Sequence, residues 1–208
     1  MARDCLCSGD LLHTEIRGAS SQTPGYWNRS TTPSLEKLRR LLWTRRQPTG
    51  QVDEVWPNLY VGDLYVALDK AQLSRMGISH VVDAVAGRCH VDTGHKFYKD
   101  LSVDYYGVEA EDNPSFDLSI YFYPVAQYIK AALSSPRGKV LVHCAMGISR
   151  SAALVLAYLM ICEDMSLTDA VQTVCSRRGI CPNSGFLMQL QELDVQLGRG
   201  KDRGAETC

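Results

Sequence analysis

The sequence predicts an α/β protein with a central mixed, mostly parallel β-sheet flanked by helices. Short runs rich in β-branched residues alternate with longer segments of helical periodicity, which is the pattern of a sheet covered by helices. Hydrophobic residues make up 45% of the chain and charged residues 22%, so a full core can be buried. A length of 208 residues favours a single domain with tails over two domains.

The first predicted elements follow a polar N-terminal segment. Residues 1–33 show no periodicity and are predicted to form a flexible tail. Ser34 and the leucines that follow it at helical spacing indicate a capped amphipathic helix. The stretch from Val55 to Gly62 predicts a strand–turn–strand unit. A short helix is expected from Asp69 to Met76, ending at Gly77.

The middle of the chain contains three apolar strands and one helix. Segments from Ser79 to Val85 and from Val103 to Val108 are rich in β-branched or aromatic residues and predict strands. The segment from Asp117 to Ser134 is predicted to be helical, with Pro124 separating a first turn from the main helix. Lys139 to His143 predicts a buried strand.

Three helices are expected in the last third of the domain. Nearly continuous apolar residues from Arg150 to Cys162 predict a helix that is buried on most sides. Ser166, with Asp169 three residues later, resembles a capping box that opens the next helix. A final helix is predicted to begin at Asn183 or Ser184 and to run through Leu197. The domain is therefore expected to span residues 34–198, followed by a polar tail at 199–208.

Charge and composition exclude several classes of partner. The net charge is -1, so nothing indicates binding to nucleic acid or to an acidic membrane. No apolar run approaches the roughly 18 residues that a membrane span needs. The N-terminus lacks the apolar core of a signal peptide, and Ala2 stands where myristoylation would need glycine. We therefore expect a cytoplasmic or nuclear protein without a membrane partner.

Cysteine use supports the same compartment. The eight cysteines are expected to be reduced thiols, because no signal peptide precedes them and two lie in apolar helical segments. Cys5 and Cys7 have the wrong spacing for a zinc knuckle, and no matching Cys/His pair follows closely. The sequence therefore predicts no metal site and no cofactor. The cysteines are Cys5, Cys7, Cys89, Cys144, Cys162, Cys175, Cys181 and Cys208.

A loop between the strand ending at His143 and the helix opening at Arg150 carries the chemistry. Such a strand–loop–helix points successive backbone N–H groups into one concavity, which binds an oxyanion at the helix N-terminus. Gly147 permits backbone angles that a Cβ would resist. Arg150 can bind two phosphate oxygens as a bidentate fork. The predicted phosphate-binding residues are Ala145, Met146, Gly147, Ile148, Ser149 and Arg150.

Cys144, at the start of this loop, is the predicted nucleophile. The loop amides, the helix dipole and Arg150 favour its thiolate, which can attack phosphorus and form a phosphocysteine. Ser151 can donate a hydrogen bond to the sulfur and help it leave. His143 either orients the loop through hydrogen bonds or is a satisfied core histidine. A purely structural Cys144 is disfavoured, because the spacing occurs with the preceding His, the central Gly and the following Ser.

At this loop the sequence resembles the dual-specificity branch of the protein tyrosine phosphatases. The segments Asp53–Asp63, Ala157–Met160 and Pro182–Phe186 match further motifs of that branch, and the resemblance covers about residues 35 to 198. It is strongest to the small atypical members of testis and skeletal muscle. The resemblance implies a single dual-specificity phosphatase domain that hydrolyses phosphotyrosine and phosphoserine/threonine in proteins. It also implies that Asn183 braces the phosphate loop.

The resemblance also implies a general acid about thirty residues before the nucleophile. Asp112 matches that position and would protonate the leaving group, then activate water. Glu111 and Asp117 are rivals in the same segment. Asp117 is expected to cap the following helix, and Glu111 to be a solvated neighbour.

Three other residues or segments have two readings each. Arg178 either binds a second phosphate or an acidic substrate residue, or is a solvated cation at a helix end. The basic stretch from Lys37 to Leu42, extended by Arg45 and Arg46, either resembles a kinase-docking motif or is the solvent-exposed basic face of a helix. Cys89 either protects Cys144 through a reversible disulfide or is unreactive.

Departures from the family pattern narrow the expected substrate. The loop interior has no Lys or Arg, so an inositol-lipid substrate is disfavoured. The predicted partners are phosphoproteins, MAP kinases among them, and the oligomeric state is not predicted. Two alternatives are a phosphatase-fold scaffold that binds a kinase independently of catalysis, and another enzyme class with the same Cys–Arg spacing. The intact Cys144, Arg150 and Asp112 argue against a purely non-catalytic role.

Overall fold

The computed structural model describes residues 32–44, 48–87 and 93–202, with side chains up to residue 198. Within these ranges the chain forms seven α-helices and five strands, in the predicted alternation. The strands are β1 (Val52–Trp56), β2 (Leu59–Gly62), β3 (His80–Asp83), β4 (Asp104–Gly107) and β5 (Val140–His143). The helices are α1 (Leu35–Thr44), α2 (Leu64–Leu68), α3 (Lys70–Met76), α4 (Phe122–Leu133), α5 (Arg150–Cys162), α6 (Leu167–Cys175) and α7 (Ser184–Asp202).

The five strands form one sheet in the order β1-β2-β5-β3-β4. β1 pairs with β2 in the antiparallel direction, and every other pairing is parallel. The predicted mixed, mostly parallel sheet is thereby confirmed. Central β5 is buried along its whole length, which explains why it reads as a continuous apolar run.

Alternate residues of β5 serve two cores on opposite faces of the sheet. Val140 and Val142 belong to the larger core, which α1 and the helices from α4 to α7 cover. Leu141 faces the smaller core beneath α2 and α3. This alternation follows from the two-residue period of a strand, and it gives the sheet the predicted helical cover on both faces.

Side-chain caps set the limits of the short helices between β2 and β3. Asp69 accepts a hydrogen bond from the Gln72 N–H at the start of α3, and Gly77 ends that helix in the left-handed conformation. The sequence prediction missed α2, a five-residue helix whose N-cap Asp63 accepts from the Val66 N–H. A helix this short has too few residues to show periodicity, and it carries the chain from β2 past the end of β5.

Two of the predicted helices, the one that contains Pro124 and the last one, differ from the structure at one end each. A 3₁₀ turn at Ser119–Tyr121 precedes α4, and Pro124 lies in the first turn of α4, where its missing N–H costs no hydrogen bond. α7 continues past the predicted end at Leu197 to Asp202. Gly198 is not in the left-handed conformation that would end the helix, so the helix continues over the first four residues of the predicted polar tail.

The boundary of the predicted N-terminal tail also shifts. The Thr32 hydroxyl donates to Asp194, and the Gln191 side chain of α7 donates to the Pro33 carbonyl. These two residues are therefore bonded to the folded part of the chain. Most of the predicted tail, residues 1–31, lies outside the described residues, as does the end of the C-terminal tail. No described helix is both long and apolar enough to cross a membrane.

The carboxyl ends of three neighbouring strands meet at one edge of the sheet. Gly62 of β2 and Asp83 of β3 both lie level with His143 of β5. In open α/β sheets, ligands bind at this edge. The segment that follows β5 begins here, which places the predicted nucleophile at the centre of the edge.

Candidate active site

The predicted phosphate-binding loop connects β5 directly to α5. β5 ends at His143 and α5 begins at Arg150, so residues 144–149 form the loop. The loop carbonyls point away from its centre, where other segments bind them. Leu64 N donates to Ala145 O at 3.2 Å, and Cys181 N donates to Ile148 O at 2.7 Å. Because the C=O and N–H of one peptide unit point in opposite directions, the amides of the loop face its centre as an anion-binding nest.

Gly147 is required for this loop shape on two grounds. Its φ of 67° lies in the left-handed region, which favours glycine. A Cβ at this position would lie 2.5 Å from the Gly62 carbonyl oxygen and 2.5 Å from an Arg178 side-chain nitrogen. The central glycine of the sequence motif therefore lets the loop pack directly against β2.

Cys144 lies at the floor of the loop, with only 1% of its surface exposed. Its sulfur accepts hydrogen bonds from the Ser151 hydroxyl at 3.3 Å and from the Gly147 N–H at 3.2 Å. Burial by itself raises the pKa of the Cys144 thiol, but the Ser151 hydroxyl and amide, the Arg150 charge and the Gly147 amide together lower it below the ordinary value. The site therefore favours a thiolate.

Arg150 opens α5 beside the loop. Its Nη1 donates to Ala110 O at 3.1 Å and to Ala84 O at 3.5 Å, which fixes the guanidinium against the ends of two other segments. Its Nε is buried and has no hydrogen-bond partner among the described residues. That donor is available for an oxyanion in the loop, as the sequence predicts for a phosphate-binding arginine.

Asp112 is the carboxylate that the fold brings to this loop. Its Oδ1 accepts from the Ser149 hydroxyl at 2.7 Å and from Asn183 Nδ2 at 2.9 Å. Its Oδ2 lies 3.8 Å from Arg150 Nε, and 38% of the side chain is exposed. The rival Asp117 instead accepts from the N–H and hydroxyl of Ser119, at the start of the 3₁₀ turn.

Asn183 joins the N-terminus of α7 to both parts of the site. Its Oδ1 accepts from the Phe186 N–H, which caps the helix as predicted. Its backbone N–H donates to the Ser149 hydroxyl at 3.3 Å, and its side-chain amide binds Asp112. The predicted bracing of the phosphate loop thus extends to the carboxylate beside it.

His143 is fully buried one residue before the nucleophile. Its Nε2 lies 3.5 Å from Asp83 Oδ1, and neither ring nitrogen has a hydrogen-bond partner among the described residues. His143 also interacts with the backbone of Cys144, the first residue of the loop, and its role in orienting the loop stays a prediction. Burial lowers its pKa below the ordinary value, although the charge of Asp83 opposes that shift.

Comparison with known proteins decides the family. The sequence model of "Dual specificity phosphatase, catalytic domain" matches residues 59–196, which is more than half of the chain.

The chain belongs to the dual specificity phosphatase family.

Similar curated proteins cover almost the full chain. "Dual specificity protein phosphatase 13B" of Homo sapiens is 58% identical over 201 residues, covering 96% of this chain and 99% of that protein. The protein of the same name from Mus musculus is 54% identical over the same share of each chain. These likenesses confirm the prediction that the chain belongs to the dual-specificity branch. They also confirm the prediction that it is a protein phosphatase.

Solved structures of this phosphatase family share the fold. The crystal structure of human DUSP28 is 30% identical, with a TM-score of 0.63, and covers 73% of this chain and 98% of its own. A mouse putative dual specificity phosphatase complexed with zinc tungstate is 31% identical, with a TM-score of 0.64, and covers 74% of this chain and 92% of its own. The predicted single-domain α/β architecture is confirmed by these likenesses.

Arg178 of this phosphatase takes neither predicted role. Its side chain has no exposed surface, so it is not a solvated cation and presents no surface to a second phosphate. Its Nε donates to Gly147 O at 2.8 Å, and its Nη1 donates to Gly50 O and to the Asp53 carboxylate. Arg178 therefore links the phosphate loop to the start of β1.

Two remaining predictions meet the structure only in part. Leu38 and Leu42 of the basic stretch are buried against the core, so they cannot enter a groove of a kinase while α1 is in place. Lys37, Arg39 and Arg40 are exposed, as expected if this stretch is the solvent-exposed basic face of a helix. Arg45, Arg46 and the candidate resolving thiol Cys89 lie outside the described residues.

The phosphatase site also contains residues that the sequence did not single out. Asp53 is the partner of Arg178, and Ser149, which was predicted only as part of the phosphate loop, also binds Asp112 through its hydroxyl. Asp83 is a fully buried carboxylate that accepts hydrogen bonds from three donors beside His143. Gln189 of α7 binds the segment that carries Asp112. For Asp83, the available signal was a carboxylate in an otherwise apolar strand segment.

Proposed function

We propose that this enzyme hydrolyses phosphate monoesters on phosphotyrosine and phosphoserine/threonine of proteins through a phosphocysteine intermediate. One observation carries the proposal: the buried Cys144 sulfur, which receives two hydrogen bonds, lies at the floor of a loop whose amides face inward. An anion bound by those amides would have its central atom next to the sulfur. Arg150 and Asp112 lie on the side from which a substrate would enter.

In the first step, the Cys144 thiolate attacks phosphorus and forms the S–P bond. The P–O bond to the substrate breaks, and Asp112 transfers its proton to the departing oxygen. Oδ1 of Asp112 already accepts two hydrogen bonds, so Oδ2 is the oxygen that carries this proton. Arg150 and the loop amides bind the three oxygens of the transferring phosphoryl group and stabilise its charge.

In the second step, Asp112 accepts a proton from water as the water oxygen attacks phosphorus. The S–P bond breaks, and the electron pair returns to Cys144 as a thiolate. The Ser151 hydroxyl, 3.3 Å from the sulfur, stabilises this leaving group. Inorganic phosphate is released, and the enzyme is back in its starting state, with Asp112 protonated and Cys144 a thiolate.

The rim of the site supports a protein substrate. Met146, a residue of the loop itself, is 67% exposed and offers an apolar contact to a phosphorylated side chain or its neighbours. The loop interior contains no Lys or Arg, so it lacks the extra cations that suit a polyphosphorylated inositol headgroup. We place the enzyme in the cytoplasm or nucleus, because a thiolate nucleophile requires reducing conditions.

The experiment that tests this function uses Cys144→Ser, with Cys162→Ser as a matched control. Cys144→Ser should abolish turnover of para-nitrophenyl phosphate while retaining binding of vanadate, and Cys162→Ser should keep wild-type turnover. Mass spectrometry of the wild-type enzyme quenched with acid should detect phosphate on Cys144. Turnover by Cys144→Ser at the wild-type rate would refute the mechanism.

Capture of phosphoproteins by Cys144→Ser tests the substrate class. Phosphoproteins that bind the variant and are released by vanadate are candidates for substrates. That MAP kinases are among the partners of this enzyme stays a prediction, which the identity of the captured phosphoproteins would test. The exposed Lys37, Arg39 and Arg40 of α1 could contact an acidic surface on such a partner, and their combined replacement by Ala would then weaken capture without changing turnover of the small substrate.

A further inference from the structure

The segment that carries the general acid is bound by the side chain of a single glutamine. This segment, residues 112–118, is termed the acid loop. Gln189 Oε1 accepts a hydrogen bond from Leu118 N at 2.9 Å, and its Nε2 donates to Phe116 O at 2.8 Å. One amide side chain therefore satisfies a backbone donor and a backbone acceptor near the end of the acid loop, across more than 70 positions of sequence.

Two further contacts join the acid loop to the first turns of α7. Asn183 donates to Asp112 at the beginning of the loop. Gly185 packs directly against the Pro114 backbone, and a Cβ there would overlap the Pro114 carbonyl. α7 thus contacts the acid loop at its start, middle and end.

Apart from α7, the acid loop is joined to the phosphate loop by the Ser149 hydroxyl, which donates to Asp112 at 2.7 Å. Its internal hydrogen bonds are local: Phe116 N donates to Asn113 O, and Ser115 donates to the Asn113 side chain. Residues 112–115 are exposed, whereas Leu118 is fully buried. The local bonds shape the loop and the Ser149 hydroxyl holds its Asp112 end, whereas the contacts with α7 hold the rest of the loop.

We propose that Gln189 is a positioning residue that holds the acid loop so that Asp112 can transfer its proton to the leaving group. This inference rests on the proposed function, because it assigns Gln189 a role in that reaction. Gln189 acts through the backbone of Phe116 and Leu118 and does not touch the substrate. Loss of its two hydrogen bonds lets the loop move away from Arg150 and Ser149, which weakens general-acid catalysis.

The test compares Gln189→Leu with Gln196→Leu, a change of the same type at an exposed position of the same helix. Turnover is measured with phenyl phosphate, a poor leaving group, and with para-nitrophenyl phosphate, an activated one. Gln189→Leu should lower kcat for phenyl phosphate by about tenfold to a hundredfold, since misplacing a catalytic group by about 1 Å has an effect of that size. The loss for para-nitrophenyl phosphate should be several-fold smaller, and Gln196→Leu should match wild type with both.

A double variant distinguishes positioning from general damage. If Gln189 acts through Asp112, adding Gln189→Leu to Asp112→Asn should cause no further loss of kcat. An equal loss with both substrates, or a loss that persists in the Asp112→Asn background, would overturn the proposal. If circular dichroism shows that Gln189→Leu does not fold, Gln189→Glu is measured instead, in the wild-type and in the Asp112→Asn background. Glutamate keeps the acceptor for the Leu118 N–H.

The same variants separate this inference from the proposed function. Asp112→Asn alone should make kcat strongly dependent on the leaving group, and Cys144→Ser should abolish turnover. If either of those single variants behaves like wild type, the reaction mechanism fails and the role of Gln189 fails with it. If both behave as expected while Gln189→Leu keeps the wild-type ratio, only the positioning role is overturned.

Discussion

The Cys144 sulfur is buried, and yet the proposed mechanism requires it to carry a negative charge. Burial opposes that charge, so the ionised form depends on the few groups that touch it. The hydroxyl of Ser151 is one of them, and it is also the group that would stabilise the sulfur when the phosphocysteine breaks. In the proposed mechanism, the same hydrogen bond therefore serves both steps.

Replacement of Ser151 by Ala should raise the pKa of Cys144. The variant loses the hydroxyl donor while the burial of the sulfur is unchanged, so the thiol should ionise at a higher pH than in wild type. The pH dependence of alkylation by iodoacetamide measures this midpoint, with Cys144→Ser used to subtract the other thiols. A midpoint that does not move would show that the hydroxyl does not stabilise the thiolate.

Replacement of Asp112 by Ala should reveal the proton donor. General acid catalysis contributes about 10²- to 10⁴-fold, so kcat for phenyl phosphate should fall by that order, and much less for an activated ester. Glu111→Ala is the comparison, because Glu111 is the neighbouring carboxylate in sequence. If Glu111→Ala shows the strong leaving-group dependence and Asp112→Ala does not, the acid has been misassigned.

At the scale of elements, Arg178 joins three parts of the chain. It lies after α6, binds the phosphate loop at Gly147 and pairs with Asp53 in β1. An arginine without exposed surface is stable only if its charge and donors are satisfied, and here Nε, Nη1 and Nη2 each donate to a backbone carbonyl or to the Asp53 carboxylate. The phosphate loop is thereby connected to the antiparallel edge of the sheet.

Arg178→Met should be strongly destabilising. Breaking a buried ion pair costs about 3–5 kcal/mol, and the partly exposed Asp53 places the expected loss near the lower value. Urea denaturation measures the free energy of unfolding, and vanadate inhibition should weaken in parallel because the loop loses its support at Gly147. In Asp53→Asn/Arg178→Met, the loss should be smaller than the sum of the two single changes. Additive losses would show that the pair is not coupled.

Sequence patterns predicted the elements whose signal is local. The strand at Val140–His143, the helix at Arg150–Cys162 and the cap at Asn183 each depend on residues within a few positions, and each was predicted. The role of Arg178 was not, because its partners lie 31 and 125 positions away. Gln189 was missed for the same reason. Spacing identifies a nucleophile and its loop, whereas support of the loop depends on contacts that only the fold creates.

At the scale of the whole molecule, one buried histidine contributes to the pH dependence of folding. Burial lowers the pKa of His143 in the folded state, whereas the unfolded chain binds a proton near pH 6.5. Between these two pKa values, the unfolded state binds more protons than the folded state. Stability should therefore fall as the pH decreases below about 6.5.

His143→Asn should flatten this dependence. The free energy of unfolding, measured by urea denaturation between pH 5 and pH 8, should fall less steeply toward acid in the variant than in wild type. The comparison uses the slope with pH, because the variant also changes the absolute stability by altering a packed position. Identical slopes would show that His143 does not contribute to the pH dependence.

The outward-facing carbonyls of the phosphate loop have one more consequence. The groups that bind them come from α2, from the segment after α6 and, through Arg178, from the approach to β1. These segments are far apart along the chain, so no fragment of the protein can shape the loop alone. During refolding, enzymatic activity should therefore return only in the last cooperative step, after helical circular dichroism has recovered. A partly synthesised or partly unfolded chain would carry Cys144 as an ordinary thiol and would not dephosphorylate anything it met.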